Sequence, residues 1–214
     1  FSQLLLDYDL ERVFYQVECP LIPVLAALEF LGIAVDADAL SDYSIELSEE
    51  IIGLEKQIYS LAGTRFNLDS PKQLGQILFD ELKLEENPSR TKTGQYKTDV
   101  KVLERLAVNH DIAQRMLDFR TRRKLKTTYV DQLPAAIFEL TQRVHTTYDQ
   151  AVTATGRMQS HSPNLQNIPI RTERGKEIRR AFVPKSDNFR LLSADYSQIE
   201  LRVIAELSQD KALI

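Results

Sequence analysis

The chain has 214 residues, a net charge of −4 from 27 Lys and Arg against 31 Asp and Glu, and a single cysteine, so it can bury a core in one domain or two. Cys19 alone excludes an internal disulfide and a cysteine-built zinc site, and His110, His145 and His161 lack ligand spacing. The N-terminus lacks a signal-peptide pattern and no apolar run approaches the roughly 20 residues of a membrane span, so a soluble protein is expected. Charge is uneven: residues 1–60 hold 2 basic against 12 acidic side chains, net −10, and the rest hold 25 basic against 19 acidic, net +6. A polyanionic partner therefore belongs to the later part.

Phe1 to Cys19 mixes apolar and acidic residues and reads as a linker over 1–19 from an upstream domain. Pro20 to Leu28 is apolar nearly all round, which predicts a buried helix ending near Gly32. Beyond Asp36, a fitting N-cap, Leu40, Tyr43, Leu47, Ile51, Leu54, Ile58 and Leu61 recur at helical spacing and predict one long amphipathic helix closed by Gly63. Ser70-Pro71-Lys72-Gln73 places Ser at an N-cap, Pro at the first helical position and Gln three residues on, predicting a helix to about Leu82. Periodicity then stops. Glu85 to Lys97, with Asn87-Pro88 and Gly94, reads as a mobile polar loop; its Arg90, Lys92 and Lys97 either touch a phosphate backbone or form a solvated tip.

A short helix is expected after Thr98 and a longer one from about Asp111 to Tyr129, where Ile112, Met116 and Phe119 share a face with Arg122, Arg123 and Lys126. Arg120, Arg122, Arg123, Lys124 and Lys126 fall within seven residues with no acid among them. Either this helix leaves the core for solvent, or an anionic partner relieves the repulsion. After Pro134 and another short helix the period changes to 2. Val144, Thr146 and Tyr148 alternate with Arg143, His145 and Thr147, and Val152 to Arg157 is rich in β-branched residues, predicting a hairpin that turns near Asp149-Gln150. Arg179 to Val183 and Arg190 to Asp195 predict two further strands. The reading is α+β: a mostly helical region over 20–140, then the beginning of an antiparallel sheet over 141–214.

Two polar segments carry the chemistry. In Thr155 to Pro169, Arg157 follows a flexible Gly at a predicted strand end, and the next loop bears Asn164, Gln166 and Asn167. Their amides donate and accept together, which suits base edges and sugars but equally suits turn formation. In Arg190 to Arg202, an apolar strand-like stretch delivers Asp195, and Glu200 and Arg202 follow on the first turns of a predicted helix. A carboxylate aimed from a strand end suits Mg²⁺ and phosphate chemistry; an Asp capping the helix that starts near Ser197 is the other reading.

The segment Asp195-Tyr196-Ser197-Gln198-Ile199-Glu200-Leu201-Arg202 resembles, at every position, the first palm motif of the bacterial polymerase I group of family A DNA polymerases. Thr155 to Pro169, Lys124 to Tyr129 and Gln150 to Arg157 resemble further stretches, and the similarity covers nearly the whole chain, with thumb-like helices from about residue 20 and then a partial palm. The resemblance implies template-directed transfer of a nucleotide from a dNTP to a primer 3′-hydroxyl, in DNA replication and repair, with primer–template DNA and dNTP as partners and two Mg²⁺ ions as cofactors. It implies a monomer in the bacterial cytoplasm, nucleoid-associated and with no membrane partner. Asp195 and the backbone carbonyl of Tyr196 would hold metal, Ser197 and Gln198 would lie beside the nucleotide phosphates, and Arg171 would approach the triphosphate. Glu200 would act as a steric gate against a 2′-hydroxyl, which speaks against a single-subunit RNA polymerase. Arg157 would reach the minor groove at the primer terminus, with Asn164, Gln166 and Asn167 at the template–primer junction. Arg122, Arg123, Lys124 and Lys126, with Arg90, Lys92 and Lys97, would clamp the duplex backbone. Met158-Gln159 departs from the more usual Leu-Ser, which puts a groove contact by residue 159 in doubt. The fingers Lys and Tyr and a second palm carboxylate are not in these residues, so the fragment alone is expected to be catalytically incomplete; the alternative is a duplex-DNA-binding module without catalysis.

Overall fold

The computed structural model describes residues 1–170 and 172–214. They form two compact units, Phe1–Val183 and Pro184–Ile214. In the first unit a short helix, α1 (Ser2–Asp7), precedes a continuous helical run, α2 (Glu11–Leu31). The expected linker is thus helical. A wide π-type turn at Phe14–Glu18, closed by Cys19 N–H to the Phe14 carbonyl, lies directly before Pro20, a residue without an N–H to donate. The helix runs on through Pro20 and Pro23 and stops at Gly32, whose φ is 57°.

Two expectations fail on α2. By length and composition alone Glu11–Leu31 is apolar enough to cross a membrane, a test that a core helix of a soluble protein also passes, so the statement that no run approaches a span is corrected. Reading Pro20 as the start of a helix hid the run. The helix is also not buried: only Leu25 is, while Ile22, Val24, Leu28, Phe30 and Leu31 are exposed. Glu18 and Glu29 bond residues of the later segments.

The long helix α3 (Ala37–Ala62) follows the expectation. Asp36, in extended conformation, accepts the Ala39 N–H at 2.9 Å, and Gly63 ends the helix at a left-handed φ of 70°. Leu40, Tyr43, Leu47, Ile51, Leu54 and Ile58 are buried, with Ala62 rather than Leu61 completing the stripe. The helix α4 begins at Pro71–Gly75 and continues through wide turns over Gln76–Glu81; Ser70 Oγ accepts the Gln73 N–H at 3.3 Å. Gln73 reaches back to the Asn67 N–H at 2.7 Å instead of to the N-cap itself. Then come α5 (Val100–Ala107), N-capped by Asp99, and α6 (Asp111–Leu125), which continues over Lys126–Val130, followed by α7 (Gln132–Ala135).

Short antiparallel pairs stand where one sheet was expected. β1 (Ala34–Val35) pairs with β6 (Phe182–Val183), β2 (Ile137–Phe138) with β3 (Arg143–Val144), and β4 (Thr147–Asp149) with β5 (Gln159–His161). The hairpin exists, but its return strand is Gln159–His161; residues 152–157 form turns in its long connection. Arg179 and Arg180 end a helix, α8 (Glu173–Arg180), so only Phe182–Val183 is strand. Residues 190–195 form no strand; the second unit contains one helix, α9 (Ile199–Ser208). Three or four β-compatible residues make a strand only if a partner edge is available, and local sequence does not reveal one.

The core has two clusters that share α3. Its C-terminal half, from Ile51 on, packs with Leu74, Leu78, Leu103, Met116 and Phe119; its N-terminal half packs with Leu125, Val130, Val144, Ile168 and Ile178. The second cluster draws on residues before and after 140, which is why the compact units divide after Val183 and not at 140. Tyr43 seals this cluster beside α8, its hydroxyl donating to the Arg174 carbonyl at 3.1 Å. Burial pushes its pKa above the ordinary 10.0. A raised folded pKa means this stability is complete below pH 10.0 and is lost as pH rises through the folded value. Tyr43→Phe is therefore expected to cost about 1 kcal/mol near neutral pH and to flatten the fall in stability at alkaline pH, measured by denaturant titrations across that range.

Candidate nucleic-acid interface and the Asp195 segment

The basic segment of α6 is set by packing first. Ile112, Met116 and Phe119 are buried, which turns the Arg and Lys residues of the next turns toward the flanks of the helix. There they meet acids from other elements. Arg122 pairs with Glu50 of α3 at 3.3 Å and with Asp118 at 3.2 Å, Arg123 with Asp69 at 2.5 Å, and Lys126 with Asp131 at 2.9 Å. Lys126 also donates to Ser44 Oγ at 2.6 Å. Arg120 is drawn inward to the carbonyl and hydroxyl of Thr98, and burial pushes its guanidinium pKa down. The absence of acids that suggested an anionic partner is therefore a feature of the chain order and not of the surface. Lys124 is exposed and has no side-chain partner among the described residues.

Glu50 is shared. Its second oxygen and Glu46 both bond Arg174 in the first turn of α8, and the Glu46 hydrogen bond is the leading cause of a raised Arg174 pKa. Sequence reasoning missed this junction, although Glu46 and Glu50 stand at i and i+4 on one face of α3.

The expected mobile loop is a closed turn. Thr91 N–H bonds the Gln95 carbonyl at 2.7 Å and Lys97 N–H the Ser89 carbonyl at 2.9 Å. Arg90 donates to the Gly94 carbonyl at 2.8 Å and its guanidinium lies 3.9 Å from the centre of the Tyr96 ring. Tyr96 in turn donates to Asp80 at 2.5 Å, a bond that raises its pKa. Lys92 and Lys97 are exposed, without side-chain partners among the described residues.

In the hairpin and the loop behind it, the amides do what turn formers do. Gln166 Oε1 accepts the Ser160 N–H at 2.9 Å and its Nε2 donates to the Met158 carbonyl at 3.2 Å, so the side chain lies along β5 like a further strand. Asn164 Oδ1 accepts the N–H groups of Gln166 and Asn167 at 3.0 and 3.2 Å. Asn167 is exposed, and its carbonyl accepts the Tyr129 hydroxyl at 2.6 Å. Arg157 is exposed in the connection two residues before β5, not at a strand end, and its carbonyl accepts the Thr153 hydroxyl at 2.6 Å. Arg171 lies outside the described residues.

In the second unit Asp195 and Tyr196 are exposed ahead of α9. Asp195 does not cap that helix: the N-cap is Gln198, at a left-handed φ of 51° and with no side-chain cap bond. Arg202 folds back to the Ser197 carbonyl at 3.1 Å, and Glu200 occupies the first turn, where the helix dipole favours an acid. The strand-end aim expected for Asp195 is absent, yet the capping alternative is absent as well.

Residues 37–214 match the family model of DNA polymerase family A, and the chain belongs to that family. It is similar to DNA polymerase I of Synechocystis sp., 51% identical over 207 residues that make up 96% of this chain and 21% of that protein. It is 48% identical to the thermostable DNA polymerase I of Thermus thermophilus over 202 residues, 94% of this chain and 24% of that one. The POL domain of Pol1 from M. smegmatis, in complex with DNA primer-template and dNTP, matches with a TM-score of 0.90 and 41% identity over 100% of this chain and 37% of that one. The chain thus spans about a fifth to a quarter of the length of these curated relatives.

The paired and unpaired cations should separate on mutation. Arg122→Ala, which strips a partner from Glu50 and Asp118, is expected to lower stability by about 1 kcal/mol, whereas Lys124→Ala should stay within about 0.5 kcal/mol, both read by denaturant titration.

Proposed function

We propose that these residues are the thumb and the start of the palm of a template-directed DNA polymerase acting in replication and repair. The thumb would occupy 20–140 and the palm 141–214, after a connecting segment over 1–19. The primer 3′-oxygen attacks the α-phosphate of a dNTP, a new phosphodiester forms, and the bond to the β-phosphate breaks with loss of pyrophosphate. The observation that carries this reading is the Asp195–Arg202 segment, exposed at the start of α9 inside the stretch matched to family A. A solved relative that holds primer–template DNA and dNTP supports it.

In this proposal Asp195 and the Tyr196 carbonyl face metal, Ser197 and Gln198 the nucleotide phosphates, Arg171 the triphosphate, and Glu200 the sugar. Arg157 lies in the minor groove, where every base pair presents an acceptor, so it tests pair shape without reading sequence. Asn167 has a side chain available for DNA. Gln166 and Asn164 would serve chiefly by shaping the loop, since their oxygens are already committed. Lys92, Lys97 and Lys124 are the cations best placed to track phosphates; Arg90, Arg122, Arg123 and Lys126 would do so while held by internal partners.

Magnesium chemistry would supply activation of the primer hydroxyl and charge neutralisation on the leaving pyrophosphate. Among the described residues no three His, Cys, Asp or Glu side chains converge. On this reading a two-ion site needs another carboxylate facing Asp195. A monomeric, cytoplasmic, nucleoid-associated enzyme without a membrane partner belongs to the same proposal and rests on the family resemblance.

The 214 residues alone are expected to bind duplex DNA with an affinity that falls steeply with salt, yet to give no Mg²⁺-dependent primer extension; extension would overturn the incompleteness, and a flat salt response would remove the clamp. In the full-length polypeptide that carries them, Glu200→Ala is expected to admit ribonucleotides. Unchanged sugar selection in a competition assay would refute the gate.

A further inference from the structure

β4 and β5 are three residues each, too short to be stable as an isolated ribbon. On each outer edge a side chain accepts the central strand N–H. On the β5 side the Gln166 amide bonds Ser160 and Met158. On the β4 side the Tyr148 N–H, directed away from β5, donates to Glu29 Oε1 at 2.6 Å. One step further along, Gln150 Nε2 donates to the Glu18 carboxylate at 2.6 Å and to its carbonyl at 3.2 Å. Helix α2 therefore stands in for a missing strand.

Glu29 also acts through its backbone. Its carbonyl lies 2.8 Å from His145 Nδ1, and because a carbonyl only accepts, that nitrogen donates; Nε2 lies 2.6 Å from the Thr141 hydroxyl. The approach is close because position 32 is glycine: a Cβ there would lie 2.6 Å from the Val144 oxygen and 2.8 Å from the His145 ring. Glu29 is the one charged residue between Cys19 and Leu31. A half-buried carboxylate in an apolar helix is costly unless bonded, and here its bond is to the hairpin that leads to Arg157.

We propose that Glu29 is a positioning residue for the polymerase reaction: by replacing a strand at the free edge of β4 it fixes the ribbon that holds Arg157 against the primer terminus. This rests on the reading that Arg157 contacts DNA. A charged acceptor on a backbone N–H is stronger than a neutral one, and removing it leaves a partly buried N–H unpaired. The ribbon can then pivot, and small misplacements of a substrate-positioning group reduce turnover.

The test uses the full-length polypeptide carrying these residues, with Glu29→Ala, Glu29→Gln, Arg157→Ala and the Glu29→Ala/Arg157→Ala pair. Glu29→Ala is expected to lower kcat/KM for primer–template by about tenfold and to speed hydrogen exchange at the Tyr148 amide. Glu29→Gln should recover most of both, since its Oε1 still accepts that N–H without the charge. In the Arg157→Ala background, Glu29→Ala should cost almost nothing further, because the two act through one contact. Wild-type kcat/KM in Glu29→Ala beside an impaired Arg157→Ala overturns the proposal. So do fully additive losses or failure of Gln to restore, which mark a general stability effect. Wild-type kcat/KM in Arg157→Ala overturns instead the assignment of Arg157 itself.

Discussion

The buried stripe of α3, from Leu40 through Ile58 to Ala62, is the surface to which the first unit is fitted. Each fully buried Leu or Ile on it contributes about 1.5–3 kcal/mol of transfer free energy, and the stripe is long enough to serve two clusters at once. Helices α4, α5 and α6 close over one half, while Val144, Ile168 and Ile178 from the later segments close over the other. Its N-terminal half therefore packs against residues far along the chain, and its C-terminal half against residues 68–119. That is how segments more than a hundred residues apart, such as Tyr43 and Arg174, come into hydrogen-bond contact.

Charge follows packing in this unit. The acid-rich beginning and the base-rich later part meet across α3, where Glu50 bonds both Arg122 and Arg174 and Glu46 adds a second acceptor for Arg174. Partly buried cations and carboxylates need such partners, because leaving either alone in a low-dielectric setting costs more than the pair gains. For the proposed nucleic-acid binding this means a division of labour. Cations next to the α3 face are neutralised at home, whereas Lys92, Lys97 and Lys124 stay exposed without a side-chain partner among the described residues.

The ribbon of β4 and β5 shows the same economy in hydrogen bonds. An unpaired strand edge is a liability, and a two-stranded ribbon has two of them. A glutamine on one side and a glutamate on the other each accept one outward backbone N–H without adding a strand. Gln166 in the sequence looks like a base-reading amide; in the structure its acceptor and one of its donors serve the backbone first. For the same reason Asn164 is a turn former, and Asn167 alone of the three has a side chain free to turn elsewhere among the described contacts.

The sequence by itself determined what depends on neighbours within a few residues: the Asp36 and Gly63 ends of α3 and its buried period, the Ser70-Pro71 start of α4, the beginning of α6, and the family to which the Asp195–Arg202 segment belongs. Capping bonds and helical stripes are written in local spacing, and the family resemblance lies in short runs of consecutive residues. Tertiary structure alone decided which acids neutralise the α6 cations, that 190–195 forms no strand while Phe182–Val183 finds an edge at Ala34–Val35, that the helix through Pro20 begins as early as Glu11, and that Glu29 completes the β4 edge. These outcomes are pairings between residues distant in the chain. A strand of two or three residues, or a charge awaiting a counter-charge, has no stable form until its partner arrives, and periodicity carries no record of who that partner is.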